Sequence, residues 1–256
     1  MRPCFIYFVL FFLLSCQSKT SDKVAEKSLQ VAVASNFFAP MQVLAEQYTE
    51  STGIKINLSA GATGQLFTQI VQGAPFDVFL AADEARPLAL EQQDLVVKDS
   101  RFTYVEGRLA LWSLNPFKSE SLEFMSFEHL AIANPKLAPY GAAAVEVLQH
   151  LGVYQTLLPH LVYGQNIAQA QQFVLAGQAD AAIISLSQAK LWEAKTSQEQ
   201  GLQKAYYQVL PSDYHSPIKQ QAVVLTDNQS ASAFMAYLRT DKAAKKLQAW
   251  GYEVDL

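Results

Sequence analysis

Cysteine is almost missing from this chain. Its 256 residues include two, Cys4 and Cys16, and none follows residue 16. That excludes disulfides, thiolate nucleophiles and cysteine-ligated metals from the body. Charge is sparse as well: 16 % of residues are Asp, Glu, Lys or Arg, and the formal net charge is −4. No run of Lys and Arg interleaved with aromatics occurs, which excludes nucleic acid as a partner. An acidic protein does not draw in an anion by its overall field, so any bound anion must be held by local donors. The four histidines, His129, His150, His160 and His215, have no metal-ligand spacing, and no G-x-S-x-G or H-E-x-x-H occurs. Neither a catalytic residue nor direct metal coordination is expected. Asp213-Tyr214-His215 is the one acid–base cluster, and it reads as a loop beside a crossing between lobes.

The N-terminus differs from the rest. A short basic start, Met1-Arg2-Pro3, precedes an apolar run from Cys4 to Leu14 that is too short to span a bilayer and has the size of a signal-peptide core. Leu13-Leu14-Ser15-Cys16 then resembles a bacterial lipobox, followed by a polar stretch. The expectation is a signal peptide over 1–15 and, over 16–28, a lipidated Cys16 with its tether. The plainer alternative is an ordinary cleaved signal whose cysteine is incidental. Either way the protein is exported. After Cys16 no apolar run is long enough for a transmembrane helix.

What is present is a body rich in apolar residues, half the chain being hydrophobic, enough for one large domain or two small ones. From Leu29 strands and helices alternate. Leu29–Ala34, Ile54–Leu58 and Phe76–Leu80 read as strands, and Pro40–Thr52 and Gln65–Gln72 as helices. Asp83 reads as the N-cap of a helix through Gln93 rather than as a catalytic acid. Tyr104–Trp112 and Ile218–Leu225 are long extended runs. Between them lies a second α/β segment, with strands at Leu130–Ala133 and Ala181–Ile184 and helices at Gly141–Leu151 and Ile167–Ala176. Ser230–Leu238 and Asp241–Trp250 close the chain as helices. The pattern predicts two lobes, each a mostly parallel sheet flanked by helices, joined by two crossing strands, with a ligand between lobes that close by hinge motion. The boundaries expected are 29–106 for the first part of lobe 1, 107–217 for lobe 2, and 218–256 for the return to lobe 1.

Four helix starts in this pattern carry no charge. They are Ala34-Ser35-Asn36-Phe37, Ser59-Ala60-Gly61-Ala62-Thr63-Gly64-Gln65, Ala138-Pro139-Tyr140-Gly141 and Gly164-Gln165-Asn166-Ile167. Helix N-termini present free N–H groups and about half an elementary charge each, so four aimed at one point offset a dianion without a basic residue. Ser35, Asn36, Thr63 and Tyr140 add side-chain donors. Ser, Thr and Asn before helices are also ordinary caps, and Gly61-Ala62-Thr63-Gly64 is no P-loop, since no Gly-Lys-Ser/Thr follows. The residues alone therefore give an exported two-lobed α/β protein able to bind an anion.

Several of these stretches taken together narrow the reading. Val31-Ala32-Val33-Ala34-Ser35-Asn36-Phe37, Gly61-Ala62-Thr63-Gly64-Gln65-Leu66, the segment from Gly73 to Asp83 (GAPFDVFLAAD), Asn134 to Gly141, and Trp250-Gly251-Tyr252 resemble the periplasmic molybdate-binding proteins of ABC importers. The resemblance spans about Leu29 to Tyr252. It implies a type II periplasmic-binding fold with a hinge, binding molybdate or tungstate by hydrogen bonds alone and delivering it to a membrane permease. Residue by residue it implies ligand contacts from Ser35, Asn36, Thr63 and Tyr140, from the backbone N–H of Ile167, and a further contact at Ser185, where some members have a tyrosine. It makes GAPFDVFLAAD framework rather than ligand shell. It implies no organic cofactor such as molybdopterin and, for a shuttling receptor, a monomer. The alternatives left open are a binder of another oxyanion, sulfate or phosphate, and an exported enzyme on the same fold.

Overall fold

The computed structural model describes residues 28–119, 121–122 and 125–254. The expected signal peptide, Cys16 and all of the tether but Ser28 lie outside the described residues. The first segment runs β1 (Ser28–Ala34), α1 (Phe38–Thr52), β2 (Lys55–Gly61), α2 (Thr63–Val71), β3 (Val78–Leu80), α3 (Ala85–Glu91) and β4 (Phe102–Gly107). The central segment runs β5 (Leu109–Ser113), β6 (Leu130–Ala133), α4 (Pro139–His150), α5 (Tyr154–Leu157), β7 (Leu161–Gly164), α6 (Ile167–Leu175), β8 (Ala181–Ser185), α7 (Leu186–Gln198) and β9 (Tyr206–Val209). The chain returns through β10 (Ile218–Val224), α8 (Gln229–Leu238) and α9 (Asp241–Ala249).

These strands form two five-stranded sheets, ordered β2-β1-β3-β10-β4 and β7-β6-β8-β5-β9. In the first, β1 pairs parallel with β2 and β3, while β10 runs antiparallel between β3 and β4. In the second, β6 is parallel to β7 and β8, and β5 is antiparallel to β8 and β9. Each sheet is therefore mixed, with its parallel strands linked through crossover helices.

β1, β3, β5, β6 and β8 are apolar on both faces because both faces are covered. Along β1, Leu29, Val31 and Val33 pack with Met41 and Leu44 of α1 and Phe234 of α8. Ala32 points the other way, into a cluster with Leu66, Ile70, Phe79 and Leu90. That alternation is the period-two geometry of a strand. Each fully buried Val or Leu contributes about 1.5–3 kcal/mol. A third cluster surrounds β5, β6 and β8 and also takes in Ala34, Ala62 and Ala82 at the strand ends of the first sheet. The two cores thus meet where the strands of one sheet end against the helices of the other.

The two extended runs resolve differently from expectation. Tyr104–Trp112 is two strands, split at Arg108, with β4 in the first sheet and β5 in the second. Ile218–Leu225 does not cross at all, since β10 lies wholly in the first sheet. The second crossing is made earlier, by residues 210–217, anchored where the Leu210 N–H donates to the Leu109 carbonyl (3.0 Å). Pro211 and Pro217 in that segment have no N–H and cannot sustain a ladder through it. α3 stops at Glu91, short of the expected Gln93. Glu84 occupies its N-cap position, yet Asp83 does the capping chemistry: its Oδ1 accepts from the Arg86 N–H (3.0 Å), and its carboxylate pairs with the Arg86 guanidinium. β7, β9, α5 and α7 lie outside the elements read from sequence. β7 and β9 are edge strands of the second sheet with half-exposed side chains, which weakens the alternation a reader looks for.

Candidate functional site

The four uncharged helix starts converge. A small cavity is lined by Ala34, Ser35 and Asn36 before α1, by Gly61, Ala62 and Thr63 at α2, by Ala138, Pro139 and Tyr140 at α4, by Ile167 at α6, and by Ala82 beyond β3. No Asp, Glu, Lys, Arg or His is among them. The cavity volume is about 10 Å³, room for roughly one water-sized sphere, so the lobes stand close together. They also touch directly: the Gly64 N–H at the start of α2 donates across the cleft to the Leu137 carbonyl before α4 (2.9 Å). Gly141 sets the approach of α4, because a Cβ there would overlap the Ala133 carbonyl at the end of β6.

The helix starts at the cavity are largely uncapped. α1, α2 and α4 begin at Phe37, Ala62 and Ala138, and no side chain accepts a hydrogen bond from their first turns. The capping reading of Ser35, Asn36 and Thr63 is therefore overturned. Only α6 is capped, by Asn166 Oδ1 on the Gln169 N–H (3.0 Å), and that cap leaves the earlier N–H of Ile167 unengaged by it. First-turn N–H groups have no intrahelical partner. At this cavity the Gly64 N–H is taken by the Leu137 carbonyl, the Gly141 N–H by the Ala138 carbonyl, and Pro139 has none, so the helix starts contribute the N–H groups of Thr63, Tyr140 and Ile167, which line the cavity, backed by helix dipoles.

The hydroxyls are oriented by their neighbours. Thr63, 1 % exposed, accepts at Oγ1 from the Ala82 N–H (3.1 Å), so its own proton is left for the cavity. That is the role of the small residues after β3: Ala81 and Ala82 leave room, and Ala82 aims a threonine. Tyr140, 2 % exposed, accepts at its hydroxyl from Gln220 Nε2 (2.9 Å) and more weakly from Asn36 Nδ2 (3.5 Å). Gln220 Oε1 accepts in turn from Asn36 Nδ2 (2.9 Å) and the Tyr104 hydroxyl (3.1 Å). Tyr252 donates to the Asn36 carbonyl (3.0 Å) and accepts from Ser187 Oγ (2.8 Å). Burial holds the pKa of Tyr140 well above its ordinary value, and nearby Tyr252 and Tyr104 push the same way. Burial does the same for Tyr104 and Tyr252. All three stay protonated at neutral pH, which keeps Tyr140 a donor.

Ser35, Asn36, Thr63, Tyr140 and Ile167 are thus brought together around one cavity. Ser185 is placed elsewhere. It is fully buried and caps α7, its Oγ accepting from the Gln188 N–H (3.2 Å) while Gln188 reaches back to the Ser185 N–H. Ser185-Leu186-Ser187-Gln188 is a capping-box pattern, and that signal could have found both α7 and the role of Ser185. Gln220, Tyr104 and Gly107 escape the sequence reading. Gln220 is fully buried in a strand that also holds Lys219 and Gln221, so only its burial, which the sequence does not show, marks it as a group that needs partners. Gly107 is needed because a Cβ there would overlap the Tyr140 hydroxyl.

Comparison with known proteins gives a consistent result. Residues 29–253 match the family model described as bacterial extracellular solute-binding protein. A molybdate-binding protein ModA of Azotobacter vinelandii is 43 % identical over 247 residues, covering 94 % of this chain and 93 % of that protein. The molybdate-binding protein ModA of Rhodobacter capsulatus is 40 % identical over 227 residues, covering 86 % of each. The solved structure of an Azotobacter vinelandii periplasmic molybdate-binding protein superposes with a TM-score of 0.80 at 34 % identity, covering 89 % of this chain and all of that one.

Proposed function

Because the chain belongs to the bacterial extracellular solute-binding family, alongside molybdate-binding proteins, we propose that it is the substrate-binding component of a molybdate ABC importer. It is a solute-binding protein, not an enzyme, and it is exported. Molybdate, and tungstate of the same charge and shape, is held between a first lobe of residues 29–106 and 218–256 and a second lobe of residues 107–217, and is handed to a membrane permease. The lobes hinge at the two crossings, Arg108 and residues 210–217. Ser35, Asn36, Thr63 and Tyr140 donate hydrogen bonds to the oxyanion, joined by the Ile167 N–H.

One observation carries this reading: a cavity ringed by four helix starts, three of them uncapped, and by hydroxyls of Thr63 and Tyr140 whose oxygens already accept hydrogen bonds, with no charged side chain in its lining. A fully deprotonated tetrahedral dianion needs donors and no acceptors, and this lining supplies them. A smaller anion leaves donors unpaired, at about 1–3 kcal/mol for each buried group, so discrimination against sulfate rests on size. Calorimetric titration with molybdate, tungstate, sulfate and phosphate tests the reading. Tight binding of the first two and weak binding of the others is expected; sulfate or phosphate binding more tightly than molybdate overturns it.

The protein acts as a monomer anchored by lipid on Cys16. Replacing Cys16 with Ser is expected to release it from the membrane fraction of cells. Retention in that fraction would overturn the anchor.

A further inference from the structure

We infer that Gln220 is a positioning residue for oxyanion binding: its amide, held on β10, sets which way the hydroxyl of Tyr140 donates. The inference rests on the oxyanion reading above and adds a residue outside the cavity lining to it.

The geometry is specific. Gln220 is fully buried in a strand whose other buried residues are apolar, apart from Gln221. Its two amide atoms are used in opposite senses. Oε1 is an acceptor: it takes Asn36 Nδ2 (2.9 Å) and shares the single proton of the Tyr104 hydroxyl with the Ala81 carbonyl (3.1 Å to each). Nε2 is a donor and gives to the Tyr140 hydroxyl (2.9 Å). A carboxamide NH₂ group, its lone pair delocalised into the carbonyl, cannot accept, and a carbonyl oxygen cannot donate. With Oε1 engaged by Asn36 and facing Tyr104, the amide presents its N–H to Tyr140. A tyrosine hydroxyl has one proton. While its oxygen accepts from Gln220, that proton is free for the cavity that Tyr140 lines. The same contact with Oε1 holds the Asn36 amide in place beside the cavity. Gly107 leaves the space in which Tyr140 and Gln220 meet, since a Cβ there would crowd both.

An acceptor in place of Nε2 would reverse the arrangement. Tyr140 would donate inward to residue 220 and present only lone pairs to an anion. The amide therefore converts a residue that could face a ligand either way into a fixed donor. Such orientation by a neighbour is the usual way a polar network gains specificity.

The test uses the purified protein, molybdate as probe, and four forms: wild type, Gln220→Met, Tyr140→Phe, and the double variant. Gln220→Met keeps the length of the side chain and removes both hydrogen-bonding atoms. Each single substitution is expected to weaken molybdate binding about tenfold, the scale of one lost hydrogen bond in a buried site. The double variant should bind nearly as well as Tyr140→Phe alone, because Gln220 acts mainly through Tyr140. Molybdate is expected to change the near-ultraviolet tyrosine signal of wild type, and that change should disappear in Gln220→Met and in Tyr140→Phe. A purely structural role would lower the melting temperature without touching that signal or coupling the two sites. Gln220→Asn, which withdraws the amide by one methylene, serves if the Met variant does not fold, and should show an intermediate loss. Unchanged or tighter molybdate binding in a folded Gln220 variant, or fully additive losses, overturns the inference. Failure of wild type to bind molybdate overturns the functional reading itself.

Discussion

Where α7, α8 and α9 begin, Ser185, Asn228 and Thr240 each accept a hydrogen bond from an N–H of the first turn. Where α1, α2 and α4 begin, at the cleft, no side chain does. Both regions have polar residues near the helix starts, so composition does not separate them. The difference lies in where the donors point. At α7, α8 and α9, away from the cleft, the helix start is closed by its own chain, and that contributes to stability. At the cleft three of the four helix starts are left open, α6 alone being capped by Asn166, and the missing caps mark the place where an external acceptor completes the structure.

Adding a cap at the cleft is the strongest way to break this comparison. Ala62→Asp places a carboxylate at the N-cap position of α2, inside the cavity. Two like charges at about 4 Å and an effective dielectric near 20 repel by about 4 kcal/mol, so molybdate affinity should fall on the order of a thousandfold. Measurable binding at micromolar molybdate would show that the open N-terminus is not used. Next in size, Asn36→Ala and Thr63→Ala should each weaken oxyanion binding by about tenfold or more. Thr63→Ala should also cost stability, since it leaves the buried Ala82 N–H unpaired, at about 1–3 kcal/mol. Calorimetry and thermal melts on the same samples separate the two effects, and wild-type affinity in both variants removes these residues from the site.

The capped region should respond in the opposite sense. Thr240→Ala and Ser185→Ala should each lower stability by about 1 kcal/mol and leave affinity unchanged. A loss of affinity in Ser185→Ala would return that serine to the ligand shell. The smallest effect concerns pH. The lining holds no carboxylate, histidine or lysine, and burial raises the pKa of Tyr140. Affinity should be flat between about pH 6 and about pH 9, below the range in which free tyrosine ionises. Above about pH 10 the tyrosines of the unfolded chain lose protons while Tyr104, Tyr140 and Tyr252 hold theirs, so stability should fall as pH rises. A steep change in affinity near neutrality would reveal a titrating group at the site.

Much of this was legible in the chain itself. The apolar runs of β1, β6 and β8 are unmistakable because each is buried on both faces, and the helix stop at Gly53 ends α1 where expected. The four neutral βα turns were visible as a class. The edge strands β7 and β9 were not, since half-exposed edges carry little pattern. The second crossing was misplaced because a long extended run looks the same whether it joins two sheets or lies within one. The family resemblance put Ser185 where some members have a tyrosine, and its capping box, which ties it to the start of α7, is a local signal that this reading passed over.

By itself the sequence determined the two-lobed α/β class, the absence of cysteine from the body, and the supply of small, neutral donors ahead of four helices. These follow from local rules: periodicity, composition and turn chemistry act over a few neighbouring residues. Tertiary structure alone decided which polar residues cap a helix and which face the cavity. It alone brought Gln220 to Tyr140 and Ala82 to Thr63. Hydrogen-bond direction depends on partners distant along the chain, and only the packed fold brings those partners within reach of one another.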